Sequence, residues 1–166
     1  MNESREFSAP GRRVVTGIDD FGKSVVVSDG SIPENARWSA AELAHGGDLW
    51  VVKHVPVDLT DPSDPIADYS LQDWPSPGGV IFRTGTWQPG FSFPMHRSNT
   101  IDFIVILSGQ LELVLDGGST ILEAGDTVIQ RGTKHGWRVV GNEPCTFWGA
   151  LIDASVPVME HVDNSV

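Results

Sequence analysis

The sequence is poor in cysteine, tyrosine and basic side chains. Its 166 residues include one cysteine, one tyrosine, and 11 lysines and arginines against 22 aspartates and glutamates. Cys145 has no partner for an internal disulfide, and its place in a strand-like run indicates a buried packing residue rather than a nucleophile. The formal net charge of −11 makes nucleic acid and anionic membrane surfaces poor partners, because both are negatively charged.

Long apolar runs are also absent. No stretch approaches the roughly 18 consecutive apolar residues that a membrane-spanning helix needs. The first ten residues are polar and of mixed charge, unlike the basic and apolar start of a signal peptide. These absences predict a cytoplasmic protein with no membrane partner.

Helical patterns are scarce, and short β-rich runs fill the chain from residue 11 to residue 153. Only residues 39–45 are typical of a helix, because they are rich in alanine and are followed by two glycines. Elsewhere, turn-forming residues separate runs that are rich in β-branched and aromatic side chains. Many short strands at close spacing predict an antiparallel sandwich or barrel.

The chain divides into four parts. Residues 1–10 are expected to be a flexible N-terminus, and residues 154–166 a C-terminal tail. Residues 11–79 contain the N-terminal strands, which begin with a β-hairpin, and an acidic, proline-rich loop that follows them. Residues 80–153 hold the strands of the barrel. The expected fold class is all-β, a barrel with an N-terminal β-hairpin extension.

Two stretches that combine glycine with histidine lie in the barrel region, at residues 90–109 and 125–135. Each contains one histidine, His96 in the first stretch and His135 in the second. Glycines at the turns allow the tight backbone conformations that bring the ends of distant strands together. The pattern indicates a pocket to which both histidines contribute.

Strand alternation adds a carboxylate and an aromatic ring to this pocket. Asp102 shares a face with the apolar residues Ile104 and Ile106, because alternate residues of a strand point the same way. Burying an aspartate side chain costs free energy unless the carboxylate is paired or hydrogen-bonded, so Asp102 lies either near solvent at a strand end or in a functional pocket. On a later strand His135 shares a face with Trp137.

The two stretches resemble the two sequence motifs of the cupins, which are small double-stranded β-helix barrels of jelly-roll type. Gly90, His96 and Gly109 match the glycine, first histidine and closing glycine of the first motif in spacing. Gly125 and His135 match the opening glycine and last histidine of the second motif, with one residue fewer between that motif's two glycines.

The resemblance covers about residues 80–152 and implies a small single-domain cupin barrel. Similar proteins are common in microbial genomes and are associated with secondary or aromatic metabolism, without one shared reaction. The resemblance also implies a homodimer, and the edge of the N-terminal hairpin offers a strand that can pair with a neighbouring subunit.

The sequence departs from the metal-binding cupins, which use three histidines and one glutamate. It keeps His96 and His135 but has Ser98 at the second histidine and Asp102 at the glutamate. A hydroxyl is a poor ligand for such metals, and aspartate is shorter than glutamate by roughly 1.3 Å. The set His96, Asp102 and His135 nevertheless has the composition of an iron facial triad. A site that requires no cofactor and a site for iron, manganese, nickel or zinc therefore both stay open.

Without a metal, His96, Asp102 and His135 form a candidate catalytic cluster for proton transfer. A carboxylate can hold an imidazole in one tautomer and leave the other nitrogen as base or acid. This favours a lyase, dehydratase, isomerase or cyclase that acts on a small, partly aromatic organic molecule. The candidate substrate-binding residues are Arg83, Trp87, Phe93, Met95, Ser98, Ile104, Trp137 and His54, the last with a structural role as its alternative.

Three other interpretations of the same residues remain. The protein can be a metal-dependent dioxygenase that uses His96, Asp102 and His135 as ligands. It can bind a metabolite without changing it. It can also keep the motif residues for folding alone, with His96 and Asp102 hydrogen-bonded to each other.

Overall fold

A computed structural model describes residues 12–155 of the chain, and in that part it contains strands and one short 3-10 helix but no α-helix. The segment expected to be a flexible N-terminus, 1–10, and the tail from residue 156 onward lie outside the described residues. The strands are β1 (Arg12–Ile18), β2 (Ser24–Ser31), β3 (Arg37–Ala40), β4 (Ala44–Val52), β5 (Val80–Trp87), β6 (Ser92–His96), β7 (Thr100–Ser108), β8 (Gln110–Leu115), β9 (Gly118–Glu123), β10 (Thr127–Arg131), β11 (His135–Val140) and β12 (Cys145–Asp153).

Two antiparallel sheets form the barrel. One has six strands in the order β10-β7-β12-β5-β4-β3, and the other has four in the order β6-β11-β8-β9. Both sheets contribute apolar side chains to a common core. The core residues are Ile106, Val128, Cys145 and Phe147 from the larger sheet, and Leu111, Leu113, Leu122, Trp137 and Val139 from the smaller one. The predicted all-β jelly roll is confirmed.

Alternating burial along the strands explains how the chain selects its inner face. In β7, Asp102 and Ile106 are buried while Phe103 and Val105 are exposed, as strand periodicity requires. Cys145 is fully buried in the core, and burial raises the pKa of its thiol to about 11. The prediction that this cysteine is a packing residue is confirmed.

Residues 39–45 do not form the helix that their alanine content predicts. They contain a tight turn between β3 and β4, with Ala41 in the left-handed region at a φ of 54°. The glycines that follow do not end a helix but lie within β4. A Cβ at Gly46 would lie 2.1 Å from the carbonyl oxygen of Thr84 and 2.4 Å from the ring of Trp38. Glycine is needed here for close packing, and this requirement comes from residues that are distant in the chain.

The predicted N-terminal hairpin is confirmed, because β1 and β2 pair antiparallel in a sheet of their own. Arg13 on β1 joins the hairpin to the rest of the molecule. Its guanidinium forms a 2.5 Å ion pair with Asp64 and lies 5.9 Å from the ring centroid of Trp50.

The acidic, proline-rich segment 58–79 contains no strand, in agreement with its composition. Ile66 and Tyr69 of this segment pack on a second, smaller core. The other residues of that core are Ile32, Ala36, Leu49, Val51 and Ile81. The long loop is thereby fixed against β4 and β5. Within residues 12–155, no helix has the length and apolar character to cross a membrane.

Gly109 connects β7 to β8 at a φ of 72°, and a Cβ there would lie 2.3 Å from the carbonyl oxygen of Pro144. We predict that Gly109→Ala lowers the free energy of unfolding by about 3 kcal/mol, because it combines backbone strain with a main-chain clash. Gly117→Ala is the control, since a Cβ at Gly117 meets nothing within 4 Å. Urea denaturation compares the two variants, and equal stabilities would contradict the prediction.

Candidate active site

His96 and His135 lie side by side on adjacent strands of the smaller sheet. They are register partners on β6 and β11, and their ring centroids are 4.1 Å apart. His96 is partly exposed at the end of β6, whereas His135 is 3% exposed at the start of β11. The fold therefore brings the histidines of the two motifs together, with one ring open to solvent.

Backbone carbonyls fix the orientation of both imidazoles. Nδ1 of His96 lies 3.0 Å from the carbonyl oxygen of Pro94, and Nδ1 of His135 lies 2.9 Å from that of Thr133. A carbonyl only accepts hydrogen bonds, so each Nδ1 carries the hydrogen and each Nε2 has a lone pair in the neutral ring. The main chain therefore holds the tautomer, a role that the sequence suggested for Asp102.

Gln130 is the second partner of His135. Its amide nitrogen lies 2.6 Å from Nδ1 and 2.8 Å from Nε2 of His135. Because Nδ1 carries the hydrogen that the carbonyl of Thr133 accepts, only the lone pair of Nε2 can accept from the amide, and only while the imidazole is neutral. Burial lowers the pKa of His135, the neighbouring His96 lowers it further, and the hydrogen bond to Thr133 acts in the opposite direction. His135 is thus a fixed, neutral ring. Of the four ring nitrogens of His96 and His135, Nε2 of His96 has no hydrogen-bond partner among the described residues.

Asp102 is 5% exposed on β7 and lies opposite Gln130 of β10. Burial raises the pKa of its carboxyl, while the neighbouring Thr100 side chain and the charges of Arg83 and His96 offset part of this rise. Oδ1 of Asp102 and Oε1 of Gln130 are both buried without a hydrogen-bond partner in the described structure. A protonated Asp102 can donate to Gln130 and satisfy both oxygens, because opposed residues of neighbouring strands are in side-chain contact.

Asp48 and Arg83 form an ion pair in the same half of the barrel. Asp48 is fully buried, and Nε of Arg83 donates to its Oδ1 at 3.1 Å. The hydroxyl of Tyr69 donates to Oδ2 at 2.9 Å, and Arg83 also donates to the carbonyl oxygen of Gln72. Burial raises the pKa of Asp48 against the charge of Arg83, and it raises the pKa of Tyr69 to about 12. Asp48 therefore neutralises Arg83 within the protein.

Aromatic rings surround the two histidines. Phe93 packs edge-on against His96 at 4.8 Å between centroids, and Trp74 from the long loop lies 6.2 Å from the same ring. Trp137 lies edge-on to His135 at 5.6 Å. Between the pairs His135–His96 and Trp137–Phe93, β6 advances by three residues while β11 advances by two. This extra residue in β6 places Phe93 on the same face as His96. These rings form the apolar walls of the site.

Three other predicted lining residues lie inside the barrel. Trp87 is stacked 6.5 Å from Phe93 and packs on the core. Ser98 is buried beyond the end of β6, with its Oγ 2.8 Å from Oγ1 of Thr100. Ile104 is partly buried against the core.

The structure does not place Met95 and His54 with this cluster. Met95 precedes His96 and points to the opposite face of β6, where its sulfur is 3.1 Å from the Cβ position of Gly136. His54 is exposed in the segment after β4, where its Nδ1 is 2.6 Å from the Cβ position of Gly78. Neither side chain shares the face of the catalytic candidates.

Four residues of the site escaped the sequence analysis: Gln130, Asp48, Tyr69 and Trp74. Gln130 was open to prediction, because it alternates with the inward Val128 on β10. The helix expected at residues 39–45 obscured the strand that carries Asp48. Tyr69 and Trp74 come from the loop, whose path over the barrel has no periodic signal.

The predicted metal ligands His96, Asp102 and His135 are not grouped as a three-residue metal site in the part of the chain that the structure describes. Among residues 12–155, no three His, Cys, Asp or Glu side chains are grouped so that they could hold an ion. Nε2 of His135 is paired with Gln130, and Asp102 lies opposite Gln130 on the other sheet. The donor set therefore does not fit a bound metal as the side chains are arranged here.

Two sheets that enclose a polar cluster with aromatic walls define a jelly-roll protein with an interior site. A family described as "Cupin domain" matches residues 83–153. The chain is 38% identical over 159 residues to "Phomopsin biosynthesis cluster protein C'" of Diaporthe leptostromiformis, covering 90% of this chain and 79% of that protein. It is 35% identical over 145 residues to "Cupin-domain-containing oxidoreductase srdD" of Neurospora crassa, covering 82% and 72%. The chain belongs to the cupin-domain family.

A solved structure agrees with this assignment. The "Schizosaccharomyces pombe Cnp3 Cupin Domain" superposes with a TM-score of 0.52 and covers 87% of this chain and 88% of that one. At 11% sequence identity this likeness shows the fold alone. The resemblance to cupins that the two motifs indicated is confirmed.

The buried carboxyl of Asp102 yields a stability prediction. The pKa of this carboxyl is raised above the ordinary value of 3.8, so the folded state binds more protons than the unfolded state at pH values between the two pKa values. The folded state therefore loses stability as the pH rises from 3.8 through the raised pKa. Asp102→Asn cannot ionise, and its amide can donate to the unpartnered oxygen of Gln130. We expect the variant to melt roughly 2–4 °C higher at pH 7 and equally at pH 3.5. Scanning calorimetry tests this, and a lower melting temperature at pH 7 would contradict it.

The ion pair between Asp48 and Arg83 yields a second prediction. Asp48→Ala leaves Arg83, whose side chain is 19% exposed, without its carboxylate and should cost about 3 kcal/mol of stability. The double variant Asp48→Ala/Arg83→Met should recover part of that loss, because it removes the unpaired charge. Urea denaturation of both variants measures this, and a double variant less stable than Asp48→Ala would refute the explanation.

Proposed function

We propose that this cupin is a biosynthetic enzyme that transfers protons on a small, uncharged, partly aromatic organic molecule. The observation that carries the proposal is the fixed orientation of the two imidazoles, with Nδ1 of each against a backbone carbonyl. Membership in a cluster of biosynthetic genes, which the name of the Diaporthe relative states for that protein, supports the biosynthetic context.

His96 is the proposed general base. Its Nδ1 is held by Pro94, so the neutral ring presents Nε2 as the acceptor of a substrate proton. The ring is partly exposed and lies between Phe93 and Trp74, where a planar substrate can reach it. His135 packs against His96 and keeps it in place.

Asp102 is the proposed general acid. A carboxyl with a raised pKa keeps its proton closer to neutral pH and can therefore donate it. In the proposed step, Nε2 of His96 removes a proton from a carbon next to a carbonyl, and Asp102 protonates the carbonyl oxygen to give an enol. In the second half, the enol O–H returns its proton to the carboxylate of Asp102 as the carbonyl re-forms, and the imidazolium of His96 gives up its proton. Protonation of the far carbon of a conjugated enol isomerises the substrate, whereas protonation of a β-hydroxyl whose C–O bond breaks releases water. Arg83 stabilises the carboxylate that Asp102 becomes.

The charges of the site favour an uncharged substrate. Arg83 is neutralised by Asp48, and His135 is held neutral by its surroundings. The rings of Phe93 and Trp74 pack beside His96. Such walls suit a flat, partly aromatic molecule.

A redox reaction in the same site is the second candidate. The Neurospora relative and a relative from Hypocrea virens, 29% identical over 168 residues, are both named cupin-domain-containing oxidoreductases. The same aromatic walls would then bind the substrate, and dioxygen would be the external oxidant that takes up the electrons the substrate loses.

Proton transfer can be tested without the natural substrate. A panel of aryl ketones and β-hydroxy ketones is incubated with the protein in D₂O, and mass spectrometry follows deuterium uptake, loss of water and change of oxidation level. We expect deuterium uptake or dehydration by the wild type, and rates lower by about 10²–10⁴ for His96→Ala and Asp102→Asn, which remove the proposed base and acid. His54→Ala, an exposed histidine outside the cluster, is the control and should keep full activity.

The outcomes separate the candidates. Full activity in folded His96→Ala or in folded Asp102→Asn would refute the acid–base assignment. Products that differ by two hydrogens or by oxygen, formed only in air, would support the oxidoreductase instead. Binding that quenches tryptophan fluorescence, with every compound recovered unchanged, would indicate a metabolite-binding protein.

Elemental analysis tests the metal-free assignment. The untagged wild type is compared with the double variant His96→Ala/His135→Ala after both are incubated with iron, manganese, nickel or zinc and then desalted. We expect well below one equivalent of metal in each, because the described ligands do not converge. About one equivalent in the wild type and none in the double variant would overturn this expectation.

A further inference from the structure

The long loop between β4 and β5 is anchored to the barrel on the upstream side of Trp74. The side-chain amide of Asn35 donates to the backbone carbonyls of Ile66 and Tyr69, at 3.0 Å and 2.9 Å. Ile66 is fully buried in the second core, and the hydroxyl of Tyr69 donates to Asp48. The loop is therefore fixed as far as Tyr69.

A second anchor follows Trp74. The backbone N–H of Gly78 donates to the carboxylate of Asp153 at 2.8 Å, and the carbonyl of Gly78 accepts from the N–H of Val55 at 2.9 Å. The strand β5 begins two residues later. Residues 70–77 connect the two anchors, and we refer to them as the lid.

The lid itself is lightly held. Leu71 is 41% exposed and Trp74 is 45% exposed. Arg83 donates to the carbonyl oxygen of Gln72 at 2.9 Å, and Pro75 is buried. A surface segment with exposed side chains and few buried apolar contacts opens at a low cost in free energy. The lid can therefore move while both anchors stay in place.

Trp74 lies against the ring of His96. The two ring centroids are 6.2 Å apart, and the ring planes differ by 31°, which is closer to parallel than to edge-on. Phe93 packs on the same imidazole edge-on, at 4.8 Å between centroids. Two aromatic rings thus border the imidazole whose Nε2 has no partner among the described residues. The space for a ligand on His96 is bounded by Trp74.

The gap between Trp74 and His96 is too narrow for a ligand. Carbon atoms in contact are roughly 3.5 Å apart, so a flat ring with a neighbour on each face needs about 7 Å between those neighbours. The centroids of Trp74 and His96 are 6.2 Å apart, and the tilt of 31° narrows one side of the gap further. A flat ring therefore enters only when Trp74 moves outward by roughly 1 Å, and a thicker, saturated ring needs a larger movement.

We propose that Trp74 determines the specificity of the site and that the lid is its moving part. The lid opens, a flat ring enters beside His96, and Trp74 then closes on that ring as one face of a stack. Aromatic pairing adds roughly 2–12-fold in affinity beyond the burial of the same area. The inference rests on the proposed substrate class, an uncharged molecule with an aromatic ring, and is independent of the reaction that this molecule undergoes.

Carbethoxylation tests whether Trp74 covers His96. Diethyl pyrocarbonate modifies accessible imidazole nitrogens, and peptide mass spectrometry gives separate rates for His96 and His54. We expect His96 to react about threefold faster or more in Trp74→Ala, because the reagent no longer waits for the lid to open. The rate at His54, which is exposed outside the lid, should stay the same.

Two further variants serve as controls. Leu71→Ala removes a side chain that is 41% exposed on the same lid without taking a ring from His96. Trp74→Phe keeps an aromatic ring at position 74. In both variants His96 should react at the wild-type rate.

Protection by two ketones tests the selection of a flat ring. Acetophenone and cyclohexyl methyl ketone carry the same acetyl group, and only the first has an aromatic ring. At millimolar concentrations we expect acetophenone to slow the carbethoxylation of His96 in the wild type and in Trp74→Phe, with an affinity roughly 2–12-fold higher than that of the saturated ketone. In Trp74→Ala the two ketones should protect equally.

Two results would overturn the inference. The first is an unchanged rate at His96 in Trp74→Ala, which would mean that Trp74 does not cover the ring. The second is equal protection by the two ketones in the wild type, including no protection by either, which would mean that the site does not select a flat ring. Failure of the proposed function gives a different result: acetophenone protects His96 through Trp74, but every ketone incubated with the protein in D₂O is recovered unchanged.

Discussion

The ion pair between Asp48 and Arg83 allows a barrel filled with apolar side chains to contain a polar site. A charge buried alone is costly, whereas a charge with a hydrogen-bonded partner is tolerated. Asp48 receives hydrogen bonds from Arg83 and from Tyr69 of the long loop. The two charges therefore compensate each other and Tyr69 fixes the loop over the barrel, while the guanidinium of Arg83 lies within electrostatic range of Asp102.

The two motif histidines depend on local main-chain geometry rather than on a carboxylate. Pro94 and Thr133 each lie two residues before the histidine that they orient. The chain thus sets both ring orientations within single turns, and the β6–β11 pairing places the rings together. Asp102 does not orient either ring; one of its oxygens has no partner in the described structure, and burial raises the pKa of its carboxyl.

The two sheets have opposite outer surfaces although they share one core. The smaller sheet carries an ion pair and hydrogen bonds beside exposed apolar residues such as Ile121, while Phe103, Trp148 and their neighbours make the outer surface of the larger sheet apolar. In a strand the exposed positions alternate with the core positions, so the outer residues can change without affecting the core. The residue types on an outer surface therefore reflect what contacts that surface rather than what the core requires for folding.

Periodicity and turn residues in the sequence determined the all-β class, the hairpin and the placement of His96 and His135 in one barrel, because these follow from local alternation and motif spacing. The inward direction of Asp102 followed in the same way. Only the tertiary structure decided the rest. Position 46 of β4 is a glycine because Thr84 and Trp38 leave no room for a side chain there. Asp48, Tyr69 and Trp74 reach the site through long-range contacts, which no local pattern encodes.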